Sequence, residues 1–280
     1  MSFFQKSELT RYKPPATMIP KCGACGLLDQ CQSPKMPVAG DGRKKVLLVG
    51  EAPGEKEDQQ NKPFVGPAGR RLDWHLKGVG VRLFNDCWVT NSLVCRPPDN
   101  ETPADLQIDA CRPILLKTIQ KLNPNVIVLL GRVALNSYLG PLWKDIGGMR
   151  SWAGQRIPLQ KQNVWVCPTY HPSFIMREDN ELLNDWYERH LRNAFDKTEK
   201  PWENGTPDYD NQIELVTNTE QAARKLRWMR EQGGRISFDY ETNCLKPDIS
   251  LARIVTCSVC WNGQDTIAFP CHGEAIKEMG

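Results

Sequence analysis

Four short apolar runs mark the first 200 residues. They are KKVLLVG (44–50), CWVTNSLV (87–94), NVIVLLG (125–131) and NVWVCPTY (163–170). Apolar runs of this length, with little polar alternation, are typical of strands buried on both faces of a parallel sheet. Helical patterns lie between and after them, at 68–79, 104–122, 132–139 and 180–195. This alternation predicts a three-layer α/β/α domain with a central parallel sheet.

The pattern changes at DKTEKPWENGTPDYDN, a polar stretch rich in Pro, Gly and Asp that is typical of a linker. After it, the chain predicts a strand, an N-capped helix, a second strand, and a hairpin whose turn is Asn262-Gly263. The predicted division is an N-terminal arm (1–20), a first domain (21–197), a linker (198–212) and a second segment (213–280).

Charge is distributed unevenly along the chain. Residues 1–200 carry a net charge of +7 and residues 201–280 a net charge of −4, which together give the overall +3. A basic first part is compatible with a polyanionic partner. No apolar run approaches the roughly 20 residues of a membrane span, and the N-terminus has no apolar core of a signal peptide. We therefore expect no membrane partner and a cytoplasmic location, in a bacterium or a virus-infected host cell.

The chain contains 11 cysteines. Disulfides are rare in the cytoplasm, so clustered cysteines in such a protein indicate metal or redox chemistry.

Polar and charged residues follow the carboxyl ends of the predicted strands. GEAPGEKED follows the first run and TYHPS ends the fourth, while Asn91 lies towards the end of the second, before CRPP. In open α/β sheets, ligands bind at this edge. We therefore expect carboxylates, an amide and an imidazole to converge in one crevice.

These groups suit one reaction. An Asn amide can read a base edge that offers a C=O beside an N–H, and Phe64 supplies a stacking face for a flat ring. A His can donate a hydrogen bond to a carbonyl that gains negative charge, and a carboxylate can orient water and stabilise an oxocarbenium ion. Together they predict hydrolysis of the N-glycosidic bond of an extruded pyrimidine. A dinucleotide site is excluded, because GEAPGEKE lacks G-x-G-x-x-G and places acid where a pyrophosphate would bind.

Three long motifs carry a family resemblance. GEAPGEKEDQQNKPFVGPAGRRLD, TNSLVCRPPDNETP and TYHPSFIMR resemble the motifs of the family 4, iron–sulfur uracil-DNA glycosylases, in the family's order and over roughly residues 21–195. The resemblance implies that FIMR enters the duplex. It also implies catalytic roles for Glu51, Glu57 and His171, and uracil-binding roles for Phe64, Asn91, Gly50 and Ala52.

The same resemblance implies four cluster ligands, Cys22, Cys25, Cys95 and Cys111. A C-x-x-C pair with two distant cysteines suits either a [4Fe–4S] cluster or zinc. The residues leave both metals open, and the resemblance favours iron–sulfur. Cys31, six positions after Cys25, is a competing ligand.

The second segment has its own acidic pair. Asp239 and Glu241 lie two apart on a predicted strand and therefore on one face, where paired carboxylates can hold Mg²⁺ or Mn²⁺ for phosphodiester cleavage. RISFDYETN, with the following hairpin, resembles the first motif of the DEDD-type 3′–5′ exonuclease of family A DNA polymerases, a ribonuclease H-like α/β domain. Because the other acidic motifs of that family are absent from these 280 residues, we expect metal binding only in a full-length chain. The missing remainder would be a polymerase, of viral origin.

The expected protein is thus a monomeric uracil-DNA glycosylase that acts on uracil-containing DNA and is joined to a replicative polymerase. The alternative is a sensor that binds uracil without cutting and couples DNA binding to the polymerase. A third interpretation, a variant that becomes covalently joined to the abasic sugar, predicts an SDS-resistant adduct. Release of free uracil distinguishes the first from the second.

Overall fold

The computed structural model describes residues 22–143, 145–178, 180–196, 198–206, 208–243, 253–263 and 265–272. The chain divides into two compact units, with the boundary after Thr206. That boundary lies inside the stretch predicted as a linker, and the predicted arm, 1–20, lies outside the described residues.

The first unit is built on a five-stranded sheet in the order β2-β1-β3-β5-β4. Its strands are β1 (Val46–Gly50), β2 (Cys87–Asn91), β3 (Val126–Leu130), β4 (Ile157–Leu159) and β5 (Val164–Thr169). The pairs β1–β2, β1–β3 and β3–β5 are parallel, as predicted. The edge strand β4, which was not predicted, is antiparallel to β5, so the sheet is mostly parallel with one antiparallel edge. Three residues are too few to show the alternation that identifies a strand.

Helices cover both faces of this sheet. They are α1 (Glu55–Gln60), α2 (Pro67–Gly78), α3 (Leu83–Asp86), α4 (Asp105–Leu122), α5 (Arg132–Tyr138), α6 (Pro172–Glu178) and α7 (Glu181–Asp196), with short 3-10 helices at Pro98–Asn100, Gly140–Leu142, Met149–Ser151 and Gln160–Gln162. Alternate residues of a strand face opposite ways: Leu48 packs with Leu72 and Leu191, and Leu47 with Leu115 and Leu135. Two buried layers on one sheet confirm the predicted three-layer α/β/α architecture.

Two predicted boundaries need correction. GEAPGEKED was expected to form a loop, but α1 begins at Glu55. The second apolar run was expected to be a strand up to residue 94, but β2 ends at Asn91. The chain turns there across the end of β1, because Ser92 N donates to Gly50 O (2.9 Å) and Leu93 N donates to Glu51 O (3.0 Å).

The first part of the predicted linker packs on the first unit. The Asn125 side chain donates to Thr198 O (2.6 Å). Asn163 and Trp202 exchange two hydrogen bonds, from Nδ2 to the Trp202 carbonyl (2.9 Å) and from the Trp202 amide to Oδ1 (3.0 Å). Thr206 Oγ1 donates to Gln160 O (2.7 Å). We call residues 198–206 the strap.

The second unit has a four-stranded sheet in the order β6-β9-β8-β7. Its elements are α8 (Tyr209–Gln212), β6 (Ile213–Leu215), α9 (Thr219–Gln232), β7 (Ile236–Thr242), β8 (Ile254–Trp261) and β9 (Asp265–Pro270). The side chain of Asn218 caps α9 by accepting from Glu220 N and Gln221 N. Asn262 and Gly263, between β8 and β9, both have positive φ (51° and 73°), as a tight hairpin turn requires.

Among the described residues, no helix has both the length and the apolar character that a membrane span needs.

Candidate active site

The carboxyl ends of the parallel strands open into a cleft of about 680 Å³. Polar residues from three distant segments meet there because parallel strands present the same ends at one edge of the sheet. We call this the strand-end cleft. Its lining includes six of the predicted site residues: Glu51, Ala52, Glu57, Phe64, Asn91 and His171.

Gly50, the seventh predicted residue, leaves space for two of the others. It is paired with Asn91 across β1 and β2. A Cβ on Gly50 would lie 2.4 Å from Asn91 Oδ1 and 2.5 Å from Phe64 Cζ, far inside van der Waals contact. A side chain at this position would therefore push the amide or the ring out of the cleft.

Phe64 adopts an uncommon backbone conformation. Its φ is +58°, a region that bulky residues rarely occupy and that is found at strained functional sites. The first turn of α2 holds it there, since a Cβ on Gly69 would lie 1.9 Å from Phe64 O. The ring is buried at 6% exposure in the core on one face of the sheet. Its edge still lines the cleft.

Glu57 is fixed by backbone contacts. It lies on α1 and is 9% exposed. Its Oε1 accepts the Gly66 amide (2.7 Å), and Lys62 N donates to its carbonyl (3.2 Å). A carboxylate held by a backbone donor at the wall of a cleft can orient a water molecule without reorganising.

His171 presents one defined ring nitrogen to the cleft. Its Nδ1 accepts the Ser173 amide (3.2 Å) and lies 2.7 Å from Ser173 Oγ, while Arg177 Nη1 donates to that Oγ (3.4 Å). Because Nδ1 accepts a hydrogen bond, the proton of the neutral ring is on Nε2. Burial, together with the smaller effect of the nearby Arg177 charge, lowers the pKa of His171 to about 4. The ring is therefore a neutral hydrogen-bond donor at physiological pH.

Two opposing effects act on the pKa of the Glu51 carboxyl. Burial raises its pKa, while the Arg177 guanidinium acts to lower it. Arg177 thus faces both Glu51 and the Ser173–His171 pair. Nothing in the sequence predicts this arrangement except that Arg177 follows the HPS motif closely.

The FIMR segment, residues 174–177, lies on α6. Ile175 is fully buried and Phe174 packs against the core, so neither side chain is free to enter a duplex. Met176 is 40% exposed and lines the cleft together with Arg177. Of this segment, these two side chains are the ones available to DNA.

The cysteines predicted as ligands share a small pocket. Cys22, Cys25, Cys95 and Cys111 all line it. Cys31 packs against an apolar cluster that includes Cys95 and Cys111. The ten described cysteines form no disulfide. Among the described residues, no three His, Cys, Asp or Glu side chains form a ready-made site for a metal ion.

The pocket nevertheless suits a cationic centre. Burial raises the pKa of Cys95 to about 11, opposed by the Lys35 amide that donates to its sulfur (3.4 Å) and reinforced by Cys31 and Cys25. Burial likewise raises the pKa of Cys111 to about 12, with Cys95, Cys25 and Cys22 adding to the shift. Such thiols ionise together only when a metal compensates their charge, and backbone N–H groups directed at sulfur are typical of iron–sulfur sites.

Asp58, next to Glu57, is also buried, with only 4% of its surface exposed. Its carboxylate accepts the amides of Gln32 (3.0 Å) and Ser33 (2.7 Å), and its carbonyl accepts Ser33 Oγ (2.5 Å). Its partners lie 25 and 26 positions earlier in the chain, a distance at which local sequence pattern gives no signal. Glu55, by contrast, is exposed.

The acidic pair of the second unit lies on β7. Phe238 and Tyr240 lie opposite Val259 and Cys257 of the buried core, so Asp239 and Glu241 share the other face of the sheet. Every residue of β7 is exposed.

Comparison with known proteins agrees with this geometry. Residues 37–196, more than half of the chain, match the family described as "Uracil DNA glycosylase superfamily". With the α/β/α fold and the cleft at its strand ends, this match means that the chain belongs to the uracil-DNA glycosylase superfamily.

Individual relatives show to which type of uracil-DNA glycosylase the chain belongs. The chain is 36% identical over 166 residues to a type-4 uracil-DNA glycosylase of Pyrobaculum aerophilum, covering 58% of this chain and 82% of that protein. It is 37% identical over 172 residues to the type-4 enzyme of Thermotoga maritima, covering 59% and 83%. Within the superfamily, the chain is thus a member of the type-4 uracil-DNA glycosylases. A DNA polymerase of Bacillus phage SP01 is 27% identical over 153 residues, covering 52% of this chain and 16% of the polymerase.

Proposed function

We propose that the first unit hydrolyses the N-glycosidic bond of deoxyuridine in DNA. The observation that carries this proposal is the meeting of Phe64, Asn91 and His171 in one cleft. A stacking ring, an amide and a neutral imidazole donor are the groups that an extruded uracil requires.

Binding depends on Phe64 and Asn91. The Phe64 ring stacks on the base, and the Asn91 amide accepts from the N3–H of uracil while it donates to an adjacent carbonyl. Because Gly50 has no side chain, there is room for both of these side chains beside it. Ala52, also at the cleft wall, adds a small apolar surface.

Bond cleavage places negative charge on the base and positive charge on the sugar. When the C1′–N1 bond breaks, its electron pair moves onto uracil, and His171 Nε2–H donates to the carbonyl oxygen where this charge develops. The carboxylates of Glu51 and Glu57 stabilise the sugar cation, and one of them orients the water that attacks C1′ and accepts its proton. The products are free uracil and an abasic site.

The test is single-turnover release of uracil from a labelled oligonucleotide. We expect release from the uracil-containing strand and none from a matched strand with thymine. Tight binding without release would contradict the proposal and favour the uracil sensor, and an SDS-resistant adduct would indicate covalent capture instead of hydrolysis.

We also propose that Cys22, Cys25, Cys95 and Cys111 hold a [4Fe–4S] cluster. The shared pocket, the Lys35 amide at the Cys95 sulfur and the type-4 relatives support this assignment. When bound, the cluster would supply a structural centre that joins the N-terminal C-x-x-C pair to Cys95 and Cys111. Brown protein with stoichiometric iron is the expected result, whereas colourless protein with stoichiometric zinc would overturn it.

For the second unit we propose the front of a DEDD-type 3′–5′ exonuclease domain, within a polymerase of viral origin. The common face of Asp239 and Glu241 and the similarity to the phage polymerase support this. Mg²⁺ or Mn²⁺ would bind there once the remaining carboxylates of the domain are present. Added to these 280 residues, Mn²⁺ should produce no shortening of a 3′-end in a gel assay, and shortening that Asp239→Asn abolishes would contradict this view.

A further inference from the structure

Residues 22–36, which carry three of the cysteines, form a segment that is hydrogen-bonded to two elements whose neighbouring residues line the strand-end cleft. We call it the cysteine segment. The hydrogen bonds that join its described residues to the rest of the first unit reach two places. One is the turn after β2, where Met36 N donates to Val94 O (2.8 Å) and Lys35 N donates to Cys95 Sγ (3.4 Å). The other is Asp58 on α1.

Each of these places adjoins a residue of the proposed reaction. Cys95 lies four positions after Asn91, and Asp58 directly follows Glu57. The cysteine segment therefore connects the wall that carries the uracil-reading amide to the helix that carries a catalytic carboxylate. Of these connections, the one to α1 depends on a single residue of that helix, Asp58, through its carboxylate and its carbonyl.

The Asp58 contact is unusually strong for a short helix. One buried carboxylate accepts two backbone amides and the same residue accepts a hydroxyl, and hydrogen bonds to an ionised acceptor are about twice as strong as neutral ones. Helix α1 has six residues and no side-chain cap, and so short a helix is marginal by itself. Its position must come from contacts such as this one.

We propose that Asp58 is a positioning residue that fixes Glu57 by tying α1 to the cysteine segment, so that occupation of the cysteine pocket determines where Glu57 lies. This inference rests on the proposed function and on the proposed cluster. Asp58 touches neither the substrate nor the metal; it acts through Glu57.

The first test is a double-mutant cycle on the iron-loaded protein. Asp58→Asn keeps the shape but loses the charge and one acceptor, and we expect single-turnover uracil release to fall about 10- to 100-fold, as for a displaced catalytic group. In a Glu57→Gln background, Asp58→Asn should lower the rate of uracil release by less than about a further twofold, because the side chain through which Asp58 acts is already changed. Losses that multiply would overturn the proposal, as would an Asp58→Asn protein with wild-type rates.

Asp73→Asn is the matched control. Asp73 lies on α2, pairs with Lys77 on the surface (2.7 Å), and should leave the rate unchanged. If Asp58→Asn does not fold, Ser33→Ala removes only the hydroxyl contact to the Asp58 carbonyl, and it should lower the rate about two- to fivefold with the same dependence on Glu57. No effect of Ser33→Ala in a folded protein would count against the proposal.

The second test does not use activity. Hydrogen exchange of the α1 amides is compared between iron-loaded protein and protein stripped with a chelator. In the wild type, stripping should increase exchange in α1; in Asp58→Asn, exchange should already be raised and change little on stripping. Equal responses in both proteins would overturn the coupling. A wild type that shows the coupling but releases no uracil would refute the proposed function alone.

Discussion

Two pairs of carboxylates in this protein have different surroundings. In the first unit, Glu51 follows strand β1 and Glu57 lies on helix α1; both line a cleft of about 680 Å³, and Glu57 is held by a backbone amide. In the second unit, Asp239 and Glu241 lie along the exposed strand β7. The spacing in sequence is closer in the second pair, yet the first pair is the better prepared for chemistry.

The difference shows what a carboxylate needs in order to act. A side chain in bulk solvent is screened and mobile, whereas one fixed at a cleft wall interacts strongly with charge that develops beside it. The first pair acquires this environment from neighbours in its own unit. The second pair has no comparable enclosure among the described residues, since every residue of β7 is exposed.

The largest expected effect comes from removing the imidazole. His171→Ala should lower single-turnover uracil release about 10²- to 10³-fold, the usual cost of losing one donor to a developing anion. His272→Ala, at an exposed position of the second unit, is the matched control and should change nothing. An active His171→Ala protein would refute the assigned site.

The pKa of His171 gives the next effect. Its folded value of about 4 lies below the ordinary value near 6.5. Between these two pH values, His171 therefore binds a proton more tightly in the unfolded chain than in the folded protein. The stability that neutral His171 contributes is complete above about pH 6.5 and is lost as the pH falls towards 4, by an amount of the order of 3 kcal/mol. NMR titration of the imidazole checks this, with His171→Gln identifying the resonance among four histidines. A midpoint near 6.5 would contradict the buried, neutral state.

Changing the carboxylates tests the comparison directly. Glu57→Gln should reduce uracil release about 100-fold, within the range of a lost general base. The double variant Asp239→Asn with Glu241→Gln should alter it by less than about twofold, because exposed surface groups contribute little. Single-turnover rates on the same oligonucleotide measure both. Equal losses would show that enclosure is not what separates the two pairs.

The smallest effect concerns the support of Phe64. Gly69→Ala places a Cβ 1.9 Å from the Phe64 carbonyl and should destabilise the first unit by about 1–3 kcal/mol, the usual cost of overpacking. Gly148→Ala, where a Cβ meets nothing within 4 Å, should stay within about 0.5 kcal/mol of the wild type. Urea unfolding measures both, and equal stabilities would show that the loop can move aside.

The convergence at the cleft could be predicted because it follows from a topological rule. Once four buried runs alternate with helices, Glu51, Asn91 and His171 must meet at one sheet edge. The three-layer architecture followed from the same alternation and is confirmed by the two cores.

The missed features have no local signature. Helix α1, with the sequence EKEDQQ, has no apolar stripe, and strand β4 has three residues. The burial of Asp58 depends on partners far back in the chain. The selection of the His171 tautomer depends on where the Ser173 amide points, which only the folded backbone determines.

The strap has a practical consequence for anyone who wishes to study the first unit alone. The polar composition of the stretch after α7 suggests ending the polypeptide at the last residue of that helix. This would leave the side-chain amides of Asn125 and Asn163 without the main-chain partners that they now bind. In such a shortened protein these two side chains would face water instead of the strap. A polypeptide that ends after Thr206 keeps all of these hydrogen bonds, including the one from Thr206 Oγ1 to Gln160 O.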